Sequence, residues 1–69
     1  MTNSTLNKIY KNIKKYRLAK GLTQSELAEI TGISVDYISL IENGKRTPSI
    51  KRLIILANSL DIELYKIFM

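Results

Sequence analysis

The sequence predicts an all-α fold in which five short helices form a single domain over residues 1–69. Apolar residues recur at helical spacing along most of the chain, and no segment shows the alternating pattern of a strand. Gly21, Gly32, Gly44 and Pro48 lie between the periodic segments, where we expect them to end one helix and begin the next. At 69 residues the chain has room for one small hydrophobic core.

The chain is strongly basic, with 11 lysines and arginines against 6 acidic residues and a formal net charge of +5. Every charged residue before Glu26 is a cation, and a second basic cluster runs from Lys45 to Arg52. The cations of the two clusters are Lys8, Lys11, Lys14, Lys15, Arg17, Lys20, Lys45, Arg46, Lys51 and Arg52. This balance favours a polyanionic partner, either nucleic acid or an anionic membrane surface, although a solvated surface would account for it equally.

Composition also excludes several classes of protein. Because the chain contains no cysteine, a disulfide-stapled scaffold is excluded. The absence of histidine and of a glycine-rich phosphate loop leaves little for acid–base or nucleophilic catalysis, so we expect no enzyme and no metal or cofactor site. The polar N-terminus and the lack of an apolar run near the roughly 20 residues of a membrane span predict neither a signal peptide nor a membrane helix. A cytoplasmic location is the default expectation.

The first three helices are predicted from periodicity and capping signals. The first runs from about Leu6 to Lys20, with apolar residues on one face and lysines on the other. Residues 23–26 form a capping box that starts the second helix, which ends at Gly32. Ser34 caps a third helix that extends to about Asn43, followed by a glycine suited to a left-handed C-terminal position.

Two further helices complete the predicted fold. The Thr47-Pro48 pair predicts the start of the fourth helix, with the proline at its first position, where its missing amide costs nothing. The apolar stripe of this helix is predicted to contain Ile50, Leu53, Ile54, Leu56, Ala57 and Leu60. Ile55 lies off that stripe and is a candidate for a subunit interface. A last short helix near Glu63 to Phe68 adds apolar side chains to the core or to a partner.

The segment from residue 23 to residue 44 predicts a helix-turn-helix, because two short helices are joined there by a tight turn that contains a glycine. Any small helical bundle with a glycine turn remains an alternative at this point. On the helix at about 34–43, Tyr37, Ile38 and Ile41 form the inward stripe. The outward face then consists of Val35, Asp36, Ser39, Leu40 and Asn43.

This outward face is short-chained and carries no lysine or arginine, which suits a helix that reads base edges while cations at its rim bind phosphates. Val35 and Leu40 are expected to contact thymine methyl groups, with plain helix surface as the alternative, and Asp36 to accept a hydrogen bond from a cytosine amino group. The alternative for Asp36 is simple compensation of the helix dipole. Ser39 is a candidate for a base edge or a phosphate.

Candidate phosphate contacts flank the predicted recognition helix. Gln24 and Ser25 begin the second helix, where backbone amides favour an anion, although capping alone would also explain them. Lys45 and Arg46 follow the recognition helix, and residues 49–52 begin another helix; Ser49 and Lys51 are its candidate contacts.

Arg17 lies on the apolar stripe of the first helix, where an unpaired charge would be costly. Glu42, at the edge of the inward stripe of the third helix, is its natural partner. We therefore predict an ion pair between Arg17 and Glu42 that fixes the orientation of the recognition helix.

Taken together, these residues resemble the phage-repressor/Cro type, or Xre, family of helix-turn-helix proteins. The stretches that carry the resemblance are Tyr16-Arg17, Lys20 to Ala28, Gly32 to Ser34, Tyr37 to Ser39 and Ile41 to Ser49. The resemblance implies a compact, five-helix lambda-repressor-like fold and a stand-alone transcriptional regulator of bacterial or phage origin. It also implies a homodimer on a palindromic double-stranded operator, with no small-molecule effector evident.

The resemblance assigns roles to individual residues. It implies that Gln24 is a phosphate anchor, that Asn43, Lys45 and Arg46 contact the backbone or flanking bases, and that Arg17 pairs with Glu42. The dimer interface is expected to draw on Ile55, Leu64 and Phe68.

Two positions depart from the family pattern: Leu40 stands where a polar or basic residue is common, and Asp61 replaces a frequent glycine. The operator sequence therefore cannot be carried over from relatives. The remaining alternative in function is an antitoxin-like or adaptor module that binds protein rather than DNA.

Overall fold

The computed structural model describes residues 4–69 and contains four α-helices followed by a 3₁₀ helix. The elements are α1 (Ser4–Ala19), α2 (Gln24–Thr31), α3 (Val35–Glu42), α4 (Ile50–Ser59) and the C-terminal 3₁₀ helix (Leu64–Phe68). Residues 4–69 contain no strand, which confirms the predicted all-helical class. The predicted count of five helices is not confirmed, because the last segment does not form an α-helix.

The short C-terminal segment is a 3₁₀ helix that is held by a side chain of α1. The Lys66 amide donates to the Glu63 carbonyl three residues back, and Met69 donates to Lys66 in the same way. The side-chain amide of Asn12 donates to the carbonyls of Lys66 and Ile67, at 3.2 and 2.8 Å. Asn12 on α1 thereby holds the end of the chain against the first helix.

The helix-turn-helix is built from strong local signals. Thr23 and Glu26 form the predicted capping box, with each side chain accepting a hydrogen bond from the backbone amide of the other residue. Gly32 ends α2 with φ of 73°, a left-handed conformation that glycine adopts without strain. The Ser34 hydroxyl then accepts from the Tyr37 amide and starts α3.

The start of α4 differs from the sequence prediction. Pro48 is not the first helical residue; α4 begins at Ile50, and the Ser49 hydroxyl accepts from the Arg52 amide as the N-cap. The hydroxyl of Ser49 satisfies an otherwise unpaired amide, and the helix starts two residues later than predicted. Pro48 is instead buried just before the cap, and Leu53 is buried four residues after it, in the positions of a hydrophobic staple.

One core lies between all five elements. Helix α1 packs against α3 and the 3₁₀ helix, while α2 packs against α3 and α4. The fully buried side chains come from every element and are Ile13, Leu27, Ile38, Ile41, Leu56 and Ile67. Within residues 4–69 no helix combines the length and the apolar character that crossing a membrane requires.

The apolar stripe of α4 is rotated relative to its prediction. Ile50 and Ile54 were expected to be buried, yet they are 62% and 43% exposed. Ile55, expected to be exposed, is partly buried against the core, because the turn of the helix-turn-helix reaches this side of α4 and brings Ile33 and Tyr37 to it. Leu64 and Phe68 are likewise partly buried against the core, so the three predicted interface residues have only part of their surface free.

The connection after α4 places a non-glycine residue in a left-handed conformation. Asp61 has φ of 56°, and the amides of Asp61 and Ile62 donate back to Asn58 and Ala57, which closes α4 with a Schellman motif. The Asp61 carboxylate forms an exposed ion pair with Lys20 at the end of α1. The position where the family pattern has glycine therefore does require left-handed backbone.

This geometry predicts that Asp61→Gly is more stable than Asp61→Ala. Both changes remove the ion pair with Lys20, but only glycine also removes the left-handed strain, which costs about 1 kcal/mol for an L-residue. Urea unfolding followed by circular dichroism should separate the two variants by that amount. Equal midpoints would show that the strain at this position is relaxed elsewhere.

Candidate nucleic-acid interface

The outward face of α3 is arranged as the sequence predicts. Val35, Asp36, Leu40 and Asn43 are exposed, and Ser39 is half-buried among them. The Asn43 amide lies 3.4 Å from the Ser39 hydroxyl, so these two side chains form one polar group at the end of the helix. Opposite them, Ile38 and Ile41 are completely buried, which prevents rotation of the helix about its own axis.

The ion pair between Arg17 and Glu42 is present and bidentate. The guanidinium donates to both carboxylate oxygens, from Nε at 2.7 Å and from Nη2 at 3.0 Å. Its Nη1 donates to the Leu22 carbonyl at 2.6 Å. The side chains are only 8% and 2% exposed, so the pair is shielded from water and salt. The last residue of α3 is thereby fixed to α1.

Gln24 takes part in this same cluster rather than standing free at the start of α2. Its Nε2 donates to Oε1 of Glu42 at 3.1 Å, which makes the carboxylate the acceptor of three hydrogen bonds. A primary amide has two hydrogens, so one remains for another acceptor. The ion pair orients Gln24, and the neighbouring Ser25 is exposed at the same helix end.

The C-terminal end of α3 is held by a second set of contacts. Gly44 and Lys45 donate to the carbonyls of Ile41 and Leu40, a Schellman motif that requires left-handed Gly44. A Cβ atom at this glycine would lie 3.2 Å from the Tyr10 ring. The Tyr10 hydroxyl is 2.8 Å from the Thr47 hydroxyl. Tyr10 thus holds the loop after α3 against α1.

Basic side chains lie in the two segments that follow α3 along the chain. Lys45 and Arg46 are exposed in the loop after it, while Ser49 and Lys51 are exposed at the start of α4. None of these cations forms an ion pair in the part of the chain that the structure describes. These two segments therefore carry uncompensated positive charge, while the outward face of α3 is neutral or acidic.

Tyr37 and Arg52, which were not among the predicted DNA contacts, lie together next to Arg46. The Tyr37 ring has the Arg52 guanidinium 4.6 Å from its centroid and the Arg46 guanidinium at 5.3 Å. Tyr37 was assigned to the inward stripe, and it is half-buried there. The only sequence signal was an aromatic residue followed by two arginines, whose meeting depends on the packing of α3 against α4.

The chain is similar in sequence to known helix-turn-helix proteins. A model of the HTH_3 family, described as helix-turn-helix, matches residues 13–67. The control protein C.SmaI of Serratia marcescens is 38% identical over 56 residues, which cover 81% of this chain and 67% of that protein. The chain matches 50% and 66% of the length of two further curated relatives.

Two solved structures of restriction-modification controller proteins are similar throughout. C.AhdI from Aeromonas hydrophila is 35% identical with a TM-score of 0.88, over 96% of this chain and 100% of that chain. The C.Esp1396I tetramer, solved in complex with its natural 35 base-pair operator, is 36% identical with a TM-score of 0.86. That match covers 97% of this chain and 88% of the other.

The buried ion pair predicts a large cost for removing one partner. Arg17→Leu leaves the Glu42 carboxylate buried without its cation and should lower the free energy of unfolding by about 3 kcal/mol or more. The double variant Arg17→Leu/Glu42→Leu should lose less than the sum of the two single changes. Urea unfolding of all three variants measures this.

The exposed pair between Lys20 and Asp61 provides the control. Lys20→Leu should cost no more than about 1 kcal/mol, because water and salt screen an exposed pair. Similar costs for Arg17→Leu and Lys20→Leu would contradict the role assigned to the buried pair.

Proposed function

Because the chain belongs to the HTH_3 helix-turn-helix family, we propose that it is a transcriptional regulator that binds specific sequences of double-stranded DNA. The observation that carries this proposal is the outward face of α3, which is exposed, short-chained, rigidly held and followed along the chain by two basic segments. The proposal includes a lambda-repressor-like fold in which the 3₁₀ helix takes the place of a fifth α-helix. Its site of action is bacterial or phage DNA.

The proposal places α3 in the major groove, where each base pair presents a distinct pattern of donors, acceptors and methyl groups. Val35 and Leu40, about two-fifths exposed, contact thymine methyl groups. Asp36 accepts from a cytosine amino group, and Ser39 with Asn43 bonds a base edge or the nearest phosphate. Short side chains let the helix backbone approach the bases closely.

Phosphate contacts on either side hold the helix in register. Gln24 and Ser25 approach one phosphate with a spare amide hydrogen and the first amides of α2. Lys45 and Arg46, with Ser49 and Lys51, bind the backbone beyond the other end of α3. Since the Gln24 amide is tied to Glu42, this anchor and the recognition helix move together.

We propose that the protein binds as a homodimer, because the similar C.Esp1396I structure is an operator-bound tetramer. Two α3 helices about 34 Å apart would then enter successive major grooves and read a palindrome. Ile55, Leu64 and Phe68 are partly covered by the core, so a second copy would also need other exposed apolar residues to contact. Ile50 and Ile54 are the exposed apolar residues of α4.

Selection from a randomised duplex pool tests the DNA-binding proposal. We expect one enriched palindrome, whose affinity falls steeply with salt as phosphate contacts release counterions. Asp36→Asn should change the preferred base at one position per half-site and leave the salt dependence unchanged. Lys45→Gln should keep the sequence preference and reduce the slope of log affinity against log salt by about 0.9 per bound subunit, or about 1.8 for a dimer. No enrichment at moderate salt would contradict the proposal and favour a protein-binding adaptor.

Sedimentation equilibrium tests the dimer. A charge at Ile54 would be buried against the partner copy, so Ile54→Glu should weaken self-association at least about tenfold, as expected for an uncompensated interfacial charge. Ile30→Glu is the matched control, because Ile30 is 56% exposed on α2 and lies outside the proposed interface. An unchanged dimer in the Ile54 variant would move the interface elsewhere.

A further inference from the structure

The cluster of Tyr37, Arg46 and Arg52 joins three parts of the chain around one aromatic ring. Tyr37 belongs to α3, Arg46 to the loop after it and Arg52 to the first turn of α4. Both guanidiniums lie within the range of a cation–π contact, at 5.3 and 4.6 Å from the ring centroid. Neither forms an ion pair with any carboxylate of residues 4–69.

The charge of this cluster is not balanced within the fold. Two guanidiniums held on one ring repel each other, and the quadrupole of the ring offsets only part of that repulsion. The groove beside them, about 590 Å³ in volume, is lined by Lys51, by the hydroxyl-bearing residues Ser34 and Ser49, and by no carboxylate. An anion that approaches here meets cations already desolvated on their ring-facing side.

The ring also restricts the arginine side chains before any ligand arrives. A free arginine on the surface samples many rotamers, and binding must order it at an entropic cost. Stacking on Tyr37 reduces that freedom in advance, while the edges of the guanidinium groups remain free to donate hydrogen bonds. Such a planar, forked donor matches the oxygens of a phosphodiester.

We propose that Tyr37 is a positioning residue for DNA binding, whose ring holds Arg46 and Arg52 as a fixed pair of phosphate contacts. This inference rests on the proposed function and extends it to Tyr37 and Arg52. The ligand is the sugar-phosphate backbone beside α3, because Tyr37 adjoins Asp36 in the first turn of the recognition helix and both guanidiniums lie on the Tyr37 ring. Tyr37 itself acts through the two arginines.

The test measures the affinity for the duplex enriched from the randomised pool, between about 50 and 200 mM salt. Arg46→Gln and Arg52→Gln should each reduce the salt slope by about 0.9 per bound subunit, the value for one phosphate contact, and so by about 1.8 for a dimer. Tyr37→Leu should weaken binding about fivefold to thirtyfold per bound subunit, as expected for two lost cation–π contacts, while Tyr37→Phe retains the ring and stays within about twofold of the parent.

The coupling between these residues distinguishes positioning from a general effect on the fold. In a background that carries both Arg46→Gln and Arg52→Gln, Tyr37→Leu should have no further effect on affinity. If Tyr37→Leu fails to fold, Arg46→Lys/Arg52→Lys replaces it: this variant keeps the charge, loses the planar stack and the forked donors, and should bind more weakly than the parent. Lys11→Gln, on the outer face of α1, is the charge-matched control and should leave the slope unchanged.

Three results would overturn the inference: an unchanged slope in Arg52→Gln, an undiminished effect of Tyr37→Leu in the double-glutamine background, or parental affinity in the double-lysine variant. Failure of the proposed function is a different result, namely that the parent protein enriches no duplex at all. Competition by inorganic phosphate at concentrations that leave ionic strength unchanged would show a general anion site in place of a backbone contact.

Discussion

The carboxylate of Glu42 is the point at which the elements of the helix-turn-helix are joined. Arg17 reaches it from α1 through two hydrogen bonds, and Gln24 reaches it from the start of α2. The remaining guanidinium nitrogen, Nη1, donates to the Leu22 carbonyl in the connection between α1 and α2. Buried ion pairs add little stability when compared with well-packed apolar residues, but they tolerate few alternative geometries. We infer that this pair contributes chiefly to a unique orientation of α3.

With α3 held in this orientation, the cation-free strip and the basic segments of the surface have different roles. The strip from Val35 to Asn43 carries no cation, so its contacts depend on the shape and the hydrogen-bonding pattern of what it meets. The exposed cations that follow α3 along the chain lie at its edge, in the loop after it and in the first turn of α4. Because long-range attraction comes from the edges, approach to a polyanion and discrimination among its sequences rest on different side chains.

Local chemistry made most of the fold predictable. The capping box of Thr23 and Glu26, the Ser34 cap and the left-handed glycines each depend on residues within a few positions, and each forms as the pattern indicates. The buried Arg17 was predictable because a lone cation on an apolar stripe demands a partner, and Glu42 was the acidic residue on the matching face.

The errors concern features that depend on how helices meet. The exposure of Ile54 and the burial of Ile55 follow from the side on which the helix-turn-helix covers α4, which periodicity within one helix cannot reveal. Stacking of Arg46 and Arg52 on Tyr37 has the same origin. The late start of α4 is a competition between two good signals, in which the serine cap prevailed over the proline.

The contact of Tyr10 with Gly44 and Thr47 has a consequence for the energetics of opening. It links residues 37 positions apart, so the loop beyond the recognition helix cannot separate from the first helix without loss of this contact. Arg17 imposes the same condition about two turns further along α1. The recognition helix therefore does not form an independent cooperative unit, and its amides are expected to exchange with solvent through the global unfolding of the domain rather than through local fraying.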